Sequence, residues 1–353
     1  MTRKLTSTGV RQLLASLLFC AILALALGLT SAVLKPGRSL QDGNAGAAWT
    51  GYLAQAPGHL DVVFFGTSHV FDGVDPSQIW RTRGIASYVM AGPAQKLDIT
   101  KYYVREGLRT QKPKVVVVDL GAVTYEKDRF SRSFHDINVG YMPWGLNKLA
   151  AGVLSTPEGE RVGALVDLWN YHGRWAELKR TDFNIVGKNG AGDTFMKGWL
   201  PLTSSRPVSS TPQPAAEDTK TLAAVDYNIA ALREIAKATQ AAGIPLVLTL
   251  MPTGPPGAYS SLLERASKPL LAEFDNVHVL DLSLPGAVPG LSYQTDFFDS
   301  GHLNYRGSEK ASAALANYLA TAFAIPDHRG DPAYSAWGTD VVKSRQRMES
   351  RKK

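Results

Sequence analysis

The chain has 353 residues, of which 44% are hydrophobic and 20% are charged. Such a composition can bury a core and excludes a wholly disordered protein. The net charge of +7 comes from the two ends, because residues 1–40 hold five basic and no acidic side chains, residues 341–353 hold six basic and one acidic, and the rest carries −3. Nucleic-acid enzymes carry positive charge on the folded domain, so the sequence predicts no nucleic-acid partner.

The amino-terminal segment predicts a membrane anchor. Residues 13–34 contain no charge and no proline, and about 20 such residues cross the hydrocarbon core of a bilayer as a helix. Arg3, Lys4 and Arg11 precede the segment, and the positive-inside rule places that side in the cytoplasm. We therefore expect residues 1–36 to form a cytoplasmic stub and a single-pass anchor in the cell membrane, with the rest of the chain outside the cytoplasm. A cleaved signal peptide is the alternative, although its apolar core usually spans only ~7–15 residues.

The only cysteine, Cys20, lies inside this apolar segment. The chain therefore forms no internal disulfide and has no cysteine metal site. An external protein without disulfides is common in bacteria and less expected of a eukaryotic secreted domain.

Apolar runs alternate with helical patterns through most of the remaining chain. Four short runs predict buried strands, at 61–66, 115–120, 244–250 and 277–282. Four longer segments have helical spacing, at 97–109, 221–242, 259–274 and 305–323. Alternation of continuous apolar strands with helices predicts an α/β fold, in which a parallel sheet is covered by helices on both faces.

Four further regions complete the predicted organisation. Residues 37–58 are rich in Gly, Ala and Gln and predict a stalk, and residues 59–326 form the α/β domain. Residues 125–217 break the alternation and predict an insertion that serves as a lid or substrate platform. The alternative is a helical cap whose many aromatic side chains fill a small core of its own. Residues 327–353 are polar and predict a disordered basic tail that holds the domain loosely against anionic envelope polymers or lipids, unless it has no role.

Two motifs carry the candidate chemistry. Gly66-Thr67-Ser68-His69 directly follows the first predicted strand, at the edge of the sheet where α/β enzymes gather ligands. Asp299-Ser300-Gly301-His302 directly precedes the last predicted helix. An Asp three residues before a His allows the carboxylate to meet ring Nδ1, which leaves Nε2 to take a proton from a serine. The alternative is that Ser68 and Asp299 only cap helices.

The two motifs together resemble the SGNH hydrolase superfamily, whose flavodoxin-like fold places its nucleophile after the first strand and an Asp-x-x-His before its last helix. The resemblance covers residues 59–323 outside the insertion. It implies that Ser68 is the nucleophile, His302 the general base and Asp299 the residue that orients it. It also implies oxyanion donors from the amides of Ser68 and Gly92. The family's third block supplies an asparagine, which is missing after residue 120, so Gln95 or a residue of the insertion is the candidate replacement.

The anchor, the external domain and the Gly-Thr-Ser start look like a narrower branch of that superfamily. Its members include D-alanine-to-teichoic-acid transfer proteins and O-acetylation proteins of exopolysaccharides and cell walls. The resemblance implies a membrane-anchored O-acyltransferase or esterase with an acyl-serine intermediate and no cofactor. It also implies an envelope polysaccharide or teichoic-type polymer as acceptor and a membrane-bound O-acyltransferase as partner. A non-catalytic glycan-binding or scaffold subunit of an envelope assembly is the alternative.

Other titratable residues give weaker signals. His69 follows Ser68 directly, and since adjacent side chains rarely face one site, we expect a structural role. Asp119 ends the second predicted strand and is expected to cap the following turn. His135, His172 and His278 lack metal-binding spacing with nearby carboxylates, so no metal site is predicted.

Overall fold

The computed structural model of the protein describes residues 7–37, 46–188 and 194–351. One sheet of five parallel strands lies at its centre, in the order β2-β1-β3-β4-β5. The strands are β1 Val62–Gly66, β2 Ser87–Ala91, β3 Val115–Asp119, β4 Leu246–Leu250 and β5 Val277–Asp281. The all-parallel sheet and the four strands predicted from the sequence are confirmed.

Helices connect and cover the strands. The α-helices are α1 Ser7–Leu34, α2 Gly46–Leu53, α3 Ser68–Gly73, α4 Pro76–Arg83, α5 Leu97–Gly107, α6 Arg132–His135, α7 Leu146–Leu154, α8 Arg161–Leu165, α9 Asp167–Tyr171, α10 Ile185–Lys188, α11 Thr219–Ala241, α12 Ser260–Glu273, α13 Tyr305–Ala322 and α14 Ser335–Arg351. A π-helical turn spans Asp136–Gly140, and 3-10 turns span Glu158–Glu160, His172–Glu177, Arg180–Phe183, Thr194–Met196 and Pro332–Tyr334.

The sheet is buried on both faces. Along β1, Val63 and Phe65 point into one apolar cluster and Val62 and Phe64 into the other. Helices α5, α11 and α12 contribute to the first cluster, and α3, α4 and α13 to the second. Burial on both faces explains why each strand is a continuous apolar run, as in parallel sheets generally. The prediction of helices on both faces is confirmed.

Strand β2 was missed by the sequence prediction. Its five residues include a single β-branched side chain, Val89, so its intrinsic strand signal is weak. In the structure all five residues are buried, because β2 pairs with β1 on one side and the Val89 N–H donates to the carbonyl oxygen of Lys197 on the other (2.9 Å). This strand places Gly92 beside Gly66, at the edge of the sheet that carries the candidate site.

The predicted stalk is wrong for the residues that the structure describes after position 45. Helix α2 packs on the domain, with Trp49 and Tyr52 completely buried. The Tyr52 hydroxyl donates to the Gly107 carbonyl oxygen (3.0 Å), and its ring packs edge-on against Tyr88. These aromatic side chains make the segment part of the core despite its Gly and Ala content. Residues 38–45 of the predicted stalk lie outside the described residues.

The prediction of a disordered tail is also wrong. Helix α14 buries Trp337, Val341, Ser344 and Met348, which recur at helical spacing along one face. Trp337 stacks on Trp80 with ring centroids 5.2 Å apart. Few apolar residues suffice here because they share one face, a pattern that the overall polarity of the segment concealed. The opposite face of α14 is exposed. Contact between the tail and anionic polymers stays a prediction. Residues 352–353 lie outside the described residues.

Helix α1 stands away from the domain. Its residues Thr8–Leu34, which contain an 18-residue stretch with a mean hydropathy of 2.5, form a helix long and apolar enough to cross a membrane. Residues 11–30 of α1 are exposed, whereas its last turn is partly or fully buried against the rest of the protein.

The insertion consists of short helices without a strand among its described residues. Most of its buried apolar side chains, among them Val139, Met142, Ala151 and Ala164, join the same cluster as one face of the sheet. Met196 and Trp199 instead pack with Met348 of α14 in a small separate cluster. Trp199 is buried as a core residue, whereas Trp144, Trp169 and Trp175 are exposed. The expectation that the tryptophans of the insertion fill a core is therefore wrong for these three.

Candidate active site

Ser68 lies just beyond the carboxyl end of strand β1, which is flanked by β2 and β3. It is the first residue of α3, and Thr67 caps this helix by accepting the His69 N–H (3.3 Å). A side chain at Gly66 would meet Val70 at 2.6 Å and Asp119 at 3.0 Å, so the turn from β1 into α3 needs a glycine there. The tight turn holds the Ser68 hydroxyl at the edge of the sheet where parallel α/β folds place their ligands.

Asp299 and His302 lie on the loop before α13. One oxygen of Asp299, Oδ1, accepts from the N–H groups of Gly301 (2.8 Å) and His302 (2.9 Å). Asn304 caps α13 by accepting two backbone N–H groups, which ends the loop at a fixed position. Backbone hydrogen bonds therefore position both members of the Asp-x-x-His motif.

The structure brings the three residues of the two motifs together. Ser68 Oγ lies 2.8 Å from His302 Nε2, and His302 Nδ1 lies 2.8 Å from Asp299 Oδ1. Asp299 favours the tautomer with the proton on Nδ1, and Nε2 is then the acceptor for the serine hydroxyl. The side chains of His302 and Asp299 are 28% and 42% exposed, so solvent and a large substrate can reach them.

The charge of Asp299 fits its place beside an imidazole. Partial burial, the largest influence, raises the pKa of this carboxyl, but the hydrogen bonds from the His302 ring and the Gly301 N–H outweigh it and lower the pKa overall. Asp299 is therefore ionised at neutral pH and stabilises positive charge on His302 when that ring takes a proton.

The predicted oxyanion donors are only partly supported by the geometry. As the first residue of a helix, Ser68 has an N–H without an intrahelical acceptor, which leaves that group for a ligand. The Gly92 N–H, by contrast, donates to the Gly66 carbonyl oxygen (3.2 Å), so Gly92 is not a free donor in this structure. The Gln95 side chain is fully buried, and its Nε2 donates to Thr100 Oγ1 (3.1 Å). Its Oε1 would lie 2.9 Å from a Cβ at Gly92, so it is the acceptor end of the amide, and not a donor, that approaches this glycine.

Asn138, from the π-helical turn of the insertion, lies against Gly92. A Cβ at Gly92 would lie 1.8 Å from Asn138 Oδ1, so the side chain packs directly on that glycine. Asn138 Nδ2 donates to the Pro93 carbonyl oxygen (3.0 Å), while its Oδ1 is buried and has no partner among the described residues. Sequence analysis did not single out Asn138, because nothing in the local sequence links position 138 to position 92.

His69 and Asp119 lie beside the triad, although the adjacency of His69 to Ser68 predicted that the two side chains would not face one site. The expectation that Asp119 caps the turn after β3 is confirmed. The His69 ring packs edge-on against the His302 ring with centroids 5.4 Å apart, and its Nδ1 is 3.9 Å from Asp119 Oδ2. Asp119 accepts from the N–H groups of Gly121 (2.9 Å) and Met251 (3.0 Å). A side chain at Gly121 would meet His69 Nδ1 at 2.5 Å, so this close approach depends on a glycine. The pair packs behind the triad and holds the His302 ring from one side.

Burial sets the charge of this second pair. It lowers the pKa of His69, with Asp119 partly opposing the shift, and it raises the pKa of Asp119, with His69 partly opposing. A neutral His69 is consistent with this burial, and it adds no repulsion when His302 takes a proton.

A cavity of about 300 Å³ lies beside the corner formed by Gly92 and Asn138. Its lining combines basic, aromatic and small side chains, among them Ala94, Lys96, Arg129, Phe130, Phe134 and Asn138. Its volume is at the lower end of the range for small-molecule sites, and its lining includes neither Ser68 nor His302.

The three histidines that the sequence analysis considered for metal binding make their contacts apart from the triad. His135 is buried in the insertion with its Nε2 2.8 Å from Thr156 Oγ1, and His172 is exposed. His278 packs edge-on against Phe323. Within the described ranges, no group of three or more His, Cys, Asp or Glu side chains is arranged to hold a metal ion.

In comparisons with known proteins, no family model and no curated protein matches the sequence.

Proposed function

We propose that the protein is an SGNH-type serine O-acyltransferase or esterase, anchored in the cell membrane with its catalytic domain outside the cytoplasm. The observation that carries the proposal is the unbroken chain of contacts from Ser68 Oγ through the His302 ring to Asp299, with both distances 2.8 Å. The motifs alone occur by chance, whereas their convergence at the carboxyl edge of a parallel sheet is the arrangement that activates a serine.

In the proposed reaction, Ser68 Oγ attacks the carbonyl carbon of an acyl donor while His302 Nε2 takes the serine proton. Asp299 keeps the other ring nitrogen protonated and stabilises the imidazolium. The leaving group departs with that proton and leaves an acyl-serine ester. An acceptor hydroxyl, or water, then gives its proton to His302 and attacks the ester, and Ser68 regains its proton as the product leaves.

The oxyanion formed in both steps needs hydrogen-bond donors. We assign the Ser68 N–H as one of them, because the first N–H groups of a helix have no intrahelical acceptor. We assign a second donor to the Asn138 amide, since Nδ2 carries two N–H groups and the observed bond to Pro93 uses one of them. This assignment would give the insertion a direct part in catalysis and would replace the asparagine missing after β3.

An envelope polymer suits the geometry as acceptor. The triad is partly exposed at the protein surface, so a long polysaccharide or teichoic-type chain can present a hydroxyl without entering a closed pocket. The same exposure admits water, so transfer needs the acceptor or a partner to cover the site. A membrane-bound O-acyltransferase that supplies acyl groups would be a fitting partner for an anchored domain.

A serine-reactive fluorophosphonate tests the proposal directly. The probe should modify the purified full-length protein at Ser68, located by peptide mass analysis. Ser68→Ala should abolish the labelling, and His302→Ala should slow it strongly, while Ser210→Ala, an exposed serine of the insertion, should label like the wild type.

Failure of the probe to label Ser68 in a folded protein would contradict the enzymatic proposal. In that case the non-catalytic scaffold would be the better account of the retained fold. If the probe does label Ser68, a second pair of assays separates hydrolysis from transfer. One assay uses a small soluble ester, and the other uses isolated envelope polymer as the acceptor.

A further inference from the structure

The insertion grips the carboxyl-terminal end of α1. Arg174 donates to the carbonyl oxygen of Leu34 (2.7 Å), and Lys188 Nζ donates to that of Val33 (2.8 Å). Lys35 in turn forms an ion pair with Asp167 (2.9 Å). The last carbonyl groups of a helix have no intrahelical donors, so the insertion supplies cationic side chains that satisfy them and complement the helix dipole.

The gripping side chains are themselves fixed. Asp182 accepts from Arg174 (2.8 Å) and lies 3.7 Å from Lys188 Nζ, and all three side chains are largely buried. Burial, the largest influence, raises the pKa of Asp182, but its hydrogen bonds from Lys179 and Arg174 and both cations lower it overall, so the carboxylate stays charged. The end of α1 is thus held by a network of charges and not by a flexible hinge.

Large apolar side chains surround this grip and face outward. Trp169, Trp175, Phe183 and Val186 are 63%, 71%, 65% and 85% exposed. They lie on α9, on the two following 3-10 turns and on α10, the same segments that supply Asp167, Arg174, Asp182 and Lys188. We call residues 166–186 the collar. A cavity of about 440 Å³ with an almost wholly apolar lining opens in it between Val166, Leu168, Trp169 and His172.

The collar has the chemistry of a membrane interface. Tryptophan is enriched where the hydrocarbon core meets the headgroups, because its ring is apolar and its N–H is polar. Lys179 and Arg180 are exposed on the same stretch, with Glu177 as the exposed acid, and such cations favour anionic headgroups. Exposed apolar groups at this density mark an interaction surface, and here that surface is continuous with the end of an apolar helix.

From this continuity we propose that the collar is seated in the bilayer interface around the end of α1, with Trp169, Trp175, Phe183 and Val186 inserted at the level of the headgroups. The inference rests on the proposed membrane anchor. Leu34 ends the apolar helix and so marks the depth at which the chain leaves the hydrocarbon core. Because the collar is fixed to that residue, it lies at the same depth. The collar would hold the whole domain at one height and orientation above the membrane.

Spin-label accessibility tests the collar. The full-length protein would be purified and placed in vesicles of phosphatidylcholine and phosphatidylglycerol. In a Cys20→Ser background, a nitroxide would be attached at Val186→Cys or at Leu271→Cys. Both side chains are exposed in the structure, but Leu271 lies on α12, away from α1. Power saturation of the spectra would compare collisions with oxygen, which concentrates in lipid, and with a water-soluble nickel chelate.

The label at 186 should collide more with oxygen than with nickel, and the label at 271 should show the reverse. A nitroxide on the native Cys20 of the wild type reports on the anchor itself and should be the deepest of the three. Each labelled variant should keep the thermal midpoint of the wild type, since both replaced side chains are exposed.

Three results would contradict the proposal that the collar lies in the bilayer interface, and each result has a different meaning. A label at 186 that faces water while Cys20 lies in lipid would refute the collar and leave the anchor intact. Water access at Cys20 would refute the anchor, and with it this part of the proposed function. Protection of 186 from both reagents would show that a protein surface, such as a second copy of the chain, covers the patch.

Discussion

The carboxyl edge of the sheet and the insertion contrast in how they hold their polar groups. At the sheet edge, a tight glycine turn and a network of backbone hydrogen bonds hold Ser68, Asp299 and His302. In the insertion, short helices are tied together by ion pairs, and several tryptophans remain exposed. Under the proposed function, the sheet would fix the reacting atoms, whereas the insertion would set what surrounds them, both beside Gly92 and at the end of α1.

The two regions meet at one point. Asn138 of the insertion packs on Gly92, which β2 places beside Gly66 and the start of α3. If the proposal is right, loss of a sheet-edge residue should abolish the chemistry, and loss of an insertion residue should weaken it or change its conditions.

The largest expected effect is on the triad. Ser68→Ala and His302→Ala should each lower kcat for a soluble ester by about 10⁴-fold or more, because the three groups act as a unit. The thermal midpoint should change little, since the hydroxyl and the ring are partly exposed and fill no core. Asp299→Ala should reduce kcat less than either. Retention of most activity by Ser68→Ala would show that another group is the nucleophile.

Two tryptophans compare how much a buried residue of α14 and an exposed residue of the insertion contribute to the free energy of unfolding. Trp337 is buried in the cluster that covers one face of the sheet, so Trp337→Ala should lower the free energy of unfolding by about 3–5 kcal/mol. Trp175 is an exposed residue of the insertion, and Trp175→Ala should cost at most about 0.5 kcal/mol in detergent solution. Urea unfolding measures both values. Similar values for the two variants would mean that α14 does not belong to the core.

The oxyanion assignment predicts an effect of the insertion on catalysis. Asn138→Ala should reduce kcat by about 10²–10³-fold, the usual result of removing one oxyanion donor, with a smaller change in KM. Asn138→Asp, which keeps the shape but lacks the N–H groups, should not restore activity. Asn147→Ala is the matched control, since that amide donates to Glu106 Oε2 (2.8 Å) and is not among the side-chain atoms nearest to Gly92. Wild-type kcat for Asn138→Ala would restrict the insertion to a surrounding role.

The smallest expected effect concerns pH. Burial and then nearby Lys96 lower the pKa of His135 in the folded insertion from 6.5 to about 4. Between these values the unfolded chain binds the proton more readily, so the stability that His135 contributes is complete above pH 6.5 and is lost as the pH falls towards 4. The loss should approach ~3 kcal/mol at its limit. Unfolding at pH 7 and pH 4.5 should show a shallower decline for His135→Gln than for the wild type.

His172 supplies the control for that measurement. It belongs to the same insertion but is exposed, so His172→Gln controls for the loss of a histidine at the surface. An equal decline in the wild type and in His135→Gln would mean that other groups cause the acid sensitivity.

The sequence by itself determined the elements whose signal is local. The apolar runs of β1, β3, β4 and β5 and the amphipathic helices between them predicted the parallel sheet, because burial on both faces demands such runs. The same order placed Ser68 and the Asp299–His302 pair at one edge, since parallel strands end on the same side. The apolar helix α1 could be predicted equally well, because its length and lack of charge are properties of the sequence alone.

Only the tertiary structure decided the features that depend on distant neighbours. Strand β2 is held by β1 and Lys197, α14 by a single face of buried side chains, and the Gly92 N–H is taken by Gly66. Asn138 reaches Gly92 across 46 positions of sequence, and the collar is recognisable only where the insertion touches Leu34. Periodicity reports the pattern of one segment, whereas these contacts are selected by the packing of several segments at once, and that packing is absent from any local stretch of sequence.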